Sequence, residues 1–190
     1  MTYQEYKHYI EADRQALGEY HCNSLLPGNP YLIDKEIGRF QYLLRRCEYL
    51  YTQPSTNVWK RFLKLWYAWW FKRQSLRLGF TIPPGVFGAG LRIAHRGTIV
   101  VNAHCRIGIN CTINAGVNIG TKAGYTDECP TIGDNVYIGP GAKIFGRITI
   151  ADGCAIGANA VVCKDISTPN SVVTGIPAKI TGIVSRNLHL

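Results

Sequence analysis

The sequence predicts a mainly β protein, in which a triangular coil of short parallel strands follows an α-helical N-terminal region. One apolar residue recurs every six positions between residues 101 and 166, and Gly or Asn directly follows it in seven of ten cases. A period of six matches neither the helical period of 3.6 nor a simple strand alternation. Three six-residue units close one coil, and successive coils stack about 4.8 Å apart.

The ten recurring apolar residues, called here the hexad residues, are all Val or Ile. They are Val101, Ile107, Ile113, Ile119, Ile132, Ile138, Ile144, Ile150, Ile156 and Val162. We expect them to point inward and to stack in columns. The Gly and Asn that follow them tolerate left-handed backbone, so they predict the bends between strands. Because such a coil buries a core only when several turns stack, its ends must be covered.

The irregularities of the repeat set further expectations. Ile119 and Ile132 are thirteen residues apart, which predicts a protruding loop over 121–130. Upstream, Ile93 and Ile99 keep the six-residue spacing in a shifted phase, and the hexad position itself falls on His95. The tail 167–182 should be extended and end the repeat, and the last few residues should fray.

The residues before the repeat predict helices. Residues 2–20 are predicted to form an amphipathic helix with Tyr3, Tyr6, Ile10 and Leu17 on one face, which Asp13 interrupts. A loop is predicted from His21 to Pro30. A second helix is predicted over 31–52, with one apolar face made of Ile37, Tyr42, Leu43, Cys47 and Leu50.

A third helix over 57–77 contains all four Trp and six basic residues. Its aromatic side could pack against the coil, which we favour because aromatic side chains are usually buried. Alternatively, the helix could lie on a membrane surface, with the Trp at the interface and the basic groups on lipid phosphates. The Trp are Trp59, Trp66, Trp69 and Trp70, and the basic groups are Lys60, Lys64, Lys72 and Arg73. The segment is too short and too charged to span a bilayer.

Gly79–Gly90 is rich in Gly and Pro and is interpreted as a hinge, which divides the chain into a helical region 1–78 and a coil domain 79–190. With 190 residues, 46% hydrophobic and 17% charged, the chain should be a compact soluble protein. Its net charge of +9 suggests a polyanionic partner: nucleic acid, anionic lipid or a phosphate-rich cofactor. A non-enzymatic polyanion-binding scaffold ranks low, because no nucleic-acid motif is present.

The seven cysteines are expected to be free thiols in a reducing cytoplasm. The first fifteen residues contain no apolar signal core, and three of the cysteines occupy inward positions of the repeat. No CxxC pair is present, so no structural zinc site is expected. The predicted location is therefore cytoplasmic, with peripheral membrane contact through residues 57–73 as a further option.

The hexads, the loop, the segment IAHRGTIVVNAHCRIG (93–108) and the closing TGIPAKI (174–180) resemble the hexapeptide-repeat acyltransferases of left-handed parallel β-helix fold. Within them the chain is most similar to the serine acetyltransferase-like group, including its branch that O-acetylates bacterial surface polysaccharides. The resemblance covers roughly residues 57–183. It implies transfer of acetyl from acetyl-CoA to a hydroxyl group, without a metal.

His95 matches the catalytic His of the family, which implies that it is the general base. Imidazole titrates near neutral pH, so it can take a proton from a hydroxyl and return it to the leaving thiolate. A backbone N–H at a coil corner could stabilise the tetrahedral oxyanion. The alternative is a surface His that merely replaces an aliphatic residue.

Three departures from the serine acetyltransferases bear on the acceptor. Ala94 and Phe80 stand where the family has carboxylates. Cys129, directly before Pro130, stands where the family has a His. Because serine carries an ammonium group that needs carboxylate partners, a sugar hydroxyl in surface-polysaccharide synthesis is favoured, with serine as the alternative. The residues expected to bind the acceptor are Ala94, Arg96, His104, Asp127, Glu128 and Cys129.

Several roles at this site stay open. A backbone carbonyl, Asp127 or Glu128 could fix the tautomer of His95. A covalent route through the thiolate of Cys129 is disfavoured, because direct transfer needs no intermediate. A zinc site at His104 would find too few ligands. His104 is therefore interpreted as a surface residue, and we expect it to line the acceptor cleft.

The resemblance also implies that CoA lies in a groove between neighbouring subunits of a homotrimer, or of a dimer of trimers. Gly at the corners allows close backbone approach, and lysines suit the phosphates. The matching positions are Gly120, Thr121, Pro140, Gly141, Ala158, Asn159, Lys164 and Lys179.

Overall fold

The computed structural model describes residues 1–18, 33–54 and 57–185, with the side chains of 33 and 34 excepted. Within these ranges, three helices, α1 (Tyr3–Leu17), α2 (Ile33–Thr52) and α3 (Val58–Leu78), precede fourteen short strands. Thr2 and Glu5 cap the start of α1 reciprocally, and Asn57 caps α3. The predicted loop His21–Pro30 and the last five residues lie outside the described part of the chain.

The strands form three sheets that run almost entirely parallel. Sheet A contains β1 (Phe80–Thr81), β3 (Ile99–Val101), β6 (Asn118–Gly120), β9 (Lys143–Phe145) and β12 (Val161–Val162). Sheet B contains β4 (Arg106–Ile107), β7 (Thr131–Ile132) and β10 (Thr149–Ile150). Sheet C contains β2 (Arg92–Ile93), β5 (Thr112–Ile113), β8 (Tyr137–Ile138), β11 (Ala155–Ile156), β13 (Ser171–Gly175) and the antiparallel β14 (Ala178–Ile183).

The chain visits the three sheets in rotation, which confirms the predicted triangular coil. Ile132 pairs with Ile150, and Ile144 with Val162, eighteen residues further along the chain. All ten hexad residues are buried, as predicted. The observed architecture is therefore a β-helix preceded by three helices, and its left hand stays a prediction.

The prediction that the Gly or Asn after each hexad residue adopts the left-handed conformation is wrong. Positive φ angles occur two positions later, as at Asn110, Asn135, Gly141 and Asn159. Gly at the position after the hexad residue serves close packing instead: a Cβ on Gly139 would lie 2.7 Å from the carbonyl oxygen of Ile156 in the next coil. Neighbouring coils thus approach each other through bare backbone.

The segment Gly79–Gly90 belongs to the coil, so its interpretation as a hinge is also wrong. Phe80 begins β1 and pairs with Ile99, while Phe87 bridges to Ile107. The hydrophobic core continues from this first coil into α2 through Phe40 and Leu44. The helices and the coil therefore share one core.

A buried ionic network joins α1 and α2 to the first coil. Arg45, fully buried, pairs with Asp13 at 2.8 Å and with Glu48 at 3.0 Å. Its guanidinium also donates to the carbonyl oxygens of Phe87 and Gly88, and Asp13 accepts from the backbone N–H groups of 90 and 91. Asp13 was predicted to interrupt an apolar face, whereas it binds the backbone at the open edge of the coil.

The predicted apolar faces of α1 and α2 are correct only in part. Tyr6 is buried but Tyr3 is exposed, and Tyr42 of α2 is exposed, whereas Ile37, Leu43, Cys47 and Leu50 are buried. On α3 the predicted packing of the four Trp against the coil is wrong, because all four are at least 36% exposed. α3 packs instead through Gln74, Leu78 and the partly buried Phe71.

Candidate functional site

His95 lies in an enlarged corner of the coil between sheets C and A. Ile93 pairs with Ile113, twenty residues further along, so the corner 94–98 contains two residues more than the eighteen-residue coil requires. The inward position belongs to Ile93, which is buried, and the imidazole of His95 is exposed. His95, which the six-residue spacing places on the hexad position, therefore stands in an outward extension of the repeat.

The neighbours of His95 attach this corner to the helices and to the next coil. The backbone N–H of Ala94 donates to the carbonyl oxygen of Ile113, and Gly97 faces Ala115. Arg96 forms an ion pair with Glu36 of α2 at 3.0 Å, and Glu36 also pairs with Arg77. Within the residues that the structure describes, no side chain hydrogen bonds to the imidazole of His95, which is left open to solvent.

The corners that lead from sheet C into sheet A, called here the C/A corners, form one continuous column beneath His95. Gly116 donates to the carbonyl oxygen of Thr98, Gly141 to that of Ala115, and Asn159 to that of Pro140. Four of the residues predicted to bind CoA lie on this column: Pro140, Gly141, Ala158 and Asn159. With about 4.8 Å per coil, the column extends about 14 Å from His95 to Ala158.

The corners that lead from sheet A into sheet B, called here the A/B corners, form a second column. It lies where the strands of sheet A end. His104 lies there, and its Nδ1 is 3.1 Å from the carbonyl oxygen of Thr126 in the loop 121–130. That loop contains no strand and is mostly exposed, as predicted, and it adds seven residues to its coil. Gly120, Thr121 and Lys164 belong to this column, whereas Lys179 is exposed on β14 of sheet C.

The acidic loop residues do not reach His95 within one chain. Asp127 lies 3.8 Å from Arg147, and Glu128 is half-buried in the same loop. The whole width of sheet A separates this loop from the corner of His95. Orientation of His95 by Asp127 or Glu128 therefore requires a second copy of the chain.

Cys129 is buried and contacts Cys105 rather than the solvent. Burial and the neighbouring Cys129 raise the pKa of the Cys105 thiol to about 12. The Cys105 thiol therefore keeps its proton at neutral pH and offers Cys129 a packing contact. The contact supports the interpretation of Cys129 as a packing residue and not as an acetyl carrier.

Two polar residues near these columns were missed in the sequence. Glu36 fixes Arg96 beside His95, but its partner lies sixty residues away, so no local pattern could indicate it. Lys143 stands on the outer face of sheet A between the two columns, and its Nζ donates to the carbonyl oxygen of Gly116 at 2.5 Å. Its outward position in β9 was available from the alternation of the strand.

The chain is similar to known acyltransferases in sequence. Residues 129–164 match the family described as bacterial transferase hexapeptide (six repeats). The chain is 41% identical to the serine acetyltransferase of Mycobacterium tuberculosis over 106 residues, which cover 55% of the chain and 46% of that protein. It is 44% identical to the serine acetyltransferase of Staphylococcus xylosus over 104 residues, which cover 54% of the chain and 48% of that protein. The chain thus spans about half the length of these two relatives.

Solved structures extend the likeness over nearly the whole chain. The serine acetyltransferase of Brucella abortus in complex with coenzyme A superposes with a TM-score of 0.72 at 29% identity, covering 96% of this chain and 70% of that one. The soybean serine acetyltransferase complexed with serine gives 0.72 at 25%, covering 94% and 70%. The chain resembles the serine acetyltransferase group of hexapeptide-repeat transferases. No relative among these supports the more specific resemblance to the polysaccharide branch.

Proposed function

We propose that the chain is an acetyl-CoA-dependent O-acetyltransferase in which His95 is the general base. The observation that carries the proposal is an exposed imidazole in an enlarged coil corner, at one end of a column of small residues. The likeness to a coenzyme A complex over 96% of the chain supports acetyl-CoA as the co-substrate. The described residues contain no cluster suited to a metal ion, and the proposed reaction requires none.

In the proposed reaction the ring nitrogen of His95 takes the proton of the acceptor hydroxyl. The hydroxyl oxygen attacks the thioester carbonyl carbon, and a tetrahedral oxyanion forms. A backbone N–H of the corner stabilises this oxyanion. The intermediate collapses by breaking the carbon–sulfur bond, and the imidazolium returns its proton to the sulfur of CoA.

The C/A column is the proposed place for the pantetheine arm. Gly141 and Ala158 leave the backbone accessible there, so the amides of an extended chain can pair with corner groups. Lys164 and Lys179 are exposed at the far end of the coil, where they suit the phosphates of CoA. Acetyl-CoA would then point its thioester towards His95.

The positions of the two columns support a site that is shared between copies of the chain. His95 and four CoA-binding candidates lie at one edge of sheet A, and Gly120, Thr121 and the loop lie at the other. A threefold arrangement can bring the first edge of one chain against the second edge of its neighbour. We therefore retain the homotrimer as part of the proposal.

Serine is the first candidate acceptor. The two sequence relatives described above are named serine acetyltransferases, and one structural neighbour is complexed with serine. Arg96, beside His95, offers a cation for the carboxylate of an amino acid, since Glu36 engages only part of its five N–H donors.

A sugar hydroxyl is the second candidate, because two expected carboxylates are missing. Phe80 is buried in the core against Phe40, with ring centroids 5.0 Å apart, and no polar side chain could replace it cheaply. Ala94 offers no charge to an ammonium group. These two positions favour an acceptor that lacks one.

Release of CoA from acetyl-CoA distinguishes the two acceptors. The purified chain is supplied with L-serine in one assay and with glucose, galactose or N-acetylglucosamine in others, and free thiol is measured. Release that depends on L-serine assigns the first acceptor, and release that depends on a sugar alone assigns the second. Absence of release in every assay, together with absence of CoA binding by calorimetry, would overturn the proposal.

A further inference from the structure

α3 exposes an apolar face on the side that points away from the protein. Val58, Phe62, Leu65, Trp69 and Leu76 follow one another at steps of three, four and seven, and each is 56–79% exposed. The opposite side packs on α2 through Gln74 and Leu78. A surface helix is normally polar on its outer side, so this second apolar face needs a partner. It is called here the outer face of α3.

Aromatic side chains widen the outer face on one flank. Trp66 and Trp69 contact Trp70 edge to face, with ring centroids 6.1 and 5.0 Å apart. Trp59 is 81% exposed at the start of the helix. Indole rings favour the boundary between water and hydrocarbon, because they combine a large apolar body with one N–H donor.

The charge of α3 is entirely of one sign. Residues 57–79 contain six Lys and Arg and no Asp or Glu. Arg61 and Lys72 flank the outer face on one side, and Arg73 lies over the ring of Trp69 on the other. Two such helices face to face would bring like charges together, which disfavours a second copy as the occupant. The branched aliphatic residues of the face would be buried among lipid acyl chains but would not stack on nucleic-acid bases.

We propose that the outer face of α3 binds the surface of an anionic membrane. The apolar and aromatic side chains enter the boundary between headgroups and acyl chains, and the basic side chains contact lipid phosphates. The helix lies on the membrane, because no helix of the described ranges is long and apolar enough to cross one. A cleft of about 700 Å³ beside the helix, lined by Leu76, Phe71 and Phe80 among others, extends the apolar surface. The proposal is independent of the acetyl transfer.

The four Trp of the chain all belong to α3, so tryptophan fluorescence, excited selectively over tyrosine, reports on this helix alone. The full chain is titrated with vesicles of equal parts phosphatidylglycerol and phosphatidylcholine, and with phosphatidylcholine alone. We expect a blue shift of the emission and co-sedimentation with the anionic vesicles, both weakened by salt. Replacing Arg61 and Lys72 together by Gln should lower the partition coefficient about 25-fold, at about fivefold for each lost charge.

Matched variants distinguish binding through the outer face of α3 from nonspecific hydrophobic adsorption to vesicles. Phe62→Ser with Leu65→Ser should abolish binding, whereas Ile183→Ser, which removes an equally exposed apolar side chain on β14, should leave it unchanged. Far-UV circular dichroism checks that each variant is folded. Equal binding to neutral and anionic vesicles, or binding that the Phe62/Leu65 variant retains, would overturn the proposal. A smaller oligomer of that variant without lipid would assign the face to a second copy and also overturn it.

Discussion

The imidazole of His95 is exposed, and no side chain of the described residues bonds to it, so its removal should affect chemistry and not folding. We expect His95→Ala to lower turnover by at least about a hundredfold, because a positioned general base contributes that much. The affinity for CoA and the unfolding midpoint should not change. Steady-state release of CoA, with calorimetry for binding, measures the effect.

His8 provides the matched control for this variant. It is exposed on α1, lies edge to face with Tyr9 and is none of the proposed site residues. His8→Ala should keep full turnover. Normal turnover by His95→Ala would exclude this residue as the base.

The described cysteines should differ widely in reactivity. Burial raises the pKa of Cys111 to about 12 and that of Cys47 to about 11, from an ordinary 9.0, and Cys163 is exposed. Because only the thiolate reacts, iodoacetamide at pH 8 should label Cys163 first and the two buried thiols only after unfolding. Peptide mass spectrometry with and without urea tests this, and early labelling of Cys111 would contradict it.

The same shifts fix the direction of a pH effect on stability. A thiol whose pKa is raised in the folded state keeps its proton while the unfolded chain loses it above about pH 9. The stability that the buried thiols contribute is therefore present below this pH and is lost as pH rises towards 12.

At Gly139, directly after β8, the backbones of neighbouring coils approach each other closely. Ala at this position would place its Cβ 2.7 Å from the carbonyl oxygen of Ile156 and 2.9 Å from the backbone nitrogen of Ala158. Since backbone must move to relieve this contact, Gly139→Ala should lower the free energy of unfolding by about 1–3 kcal/mol. Urea denaturation measures it.

Gly182 in β14 is the control, because a Cβ there meets no atom within 4 Å and its φ is not in the left-handed region. Gly182→Ala should leave stability within about 0.5 kcal/mol of the parent chain. Equal effects at the two positions would contradict the argument from coil spacing.

The ionic network around Arg45 fastens the first two helices to the coil. Arg45→Ala would leave Asp13 and Glu48 buried without a counter-charge, at a cost of about 3–5 kcal/mol. Arg14→Ala, which removes a surface partner of Glu11 at 3.9 Å, should cost less than about 1 kcal/mol. Thermal unfolding of both variants at pH 7 provides the comparison, and a mild effect at Arg45 would show that the carboxylates find other partners.

Among the structural elements, the sequence predicts the strands of the repeat well and the contacts that occur only once poorly. The hexad residues and the loop 121–130 follow from a six-residue period, because every coil repeats the same local geometry. The contacts of Asp13, Arg45 and Glu36 join residues far apart in the chain, and no period indicates them. His95 is intermediate: its position was predicted by resemblance, but the two extra residues of its corner emerge only from strand register.

For the whole molecule, the separation of the two corner columns predicts an active site that one chain cannot complete. Sedimentation velocity should give a homotrimer. Co-expression of His95→Ala with a variant that lacks residues 122–128 should restore activity that neither variant has alone, up to about a quarter of the parent value for random threefold assembly.

Inactive mixed assemblies would contradict the shared site. If each chain held a whole site, mixed assemblies would be as inactive as the separate variants. Full trimers without complementation would therefore contradict a site shared between chains, and with it the orientation of His95 by Asp127 or Glu128 of a neighbouring chain.

The network of Asp13, Arg45 and Glu48 has a consequence for aggregation. A stacked coil of parallel strands ends in unpaired backbone groups, which could template the coil of another chain and extend into fibrils. Here side chains from α1 and α2 occupy those groups at the first coil, at the carbonyls of Phe87 and Gly88 and the N–H groups of 90 and 91. We therefore expect the helices to keep the coil from polymerising end to end, and a chain cut before residue 58 should lose solubility before it loses its strands.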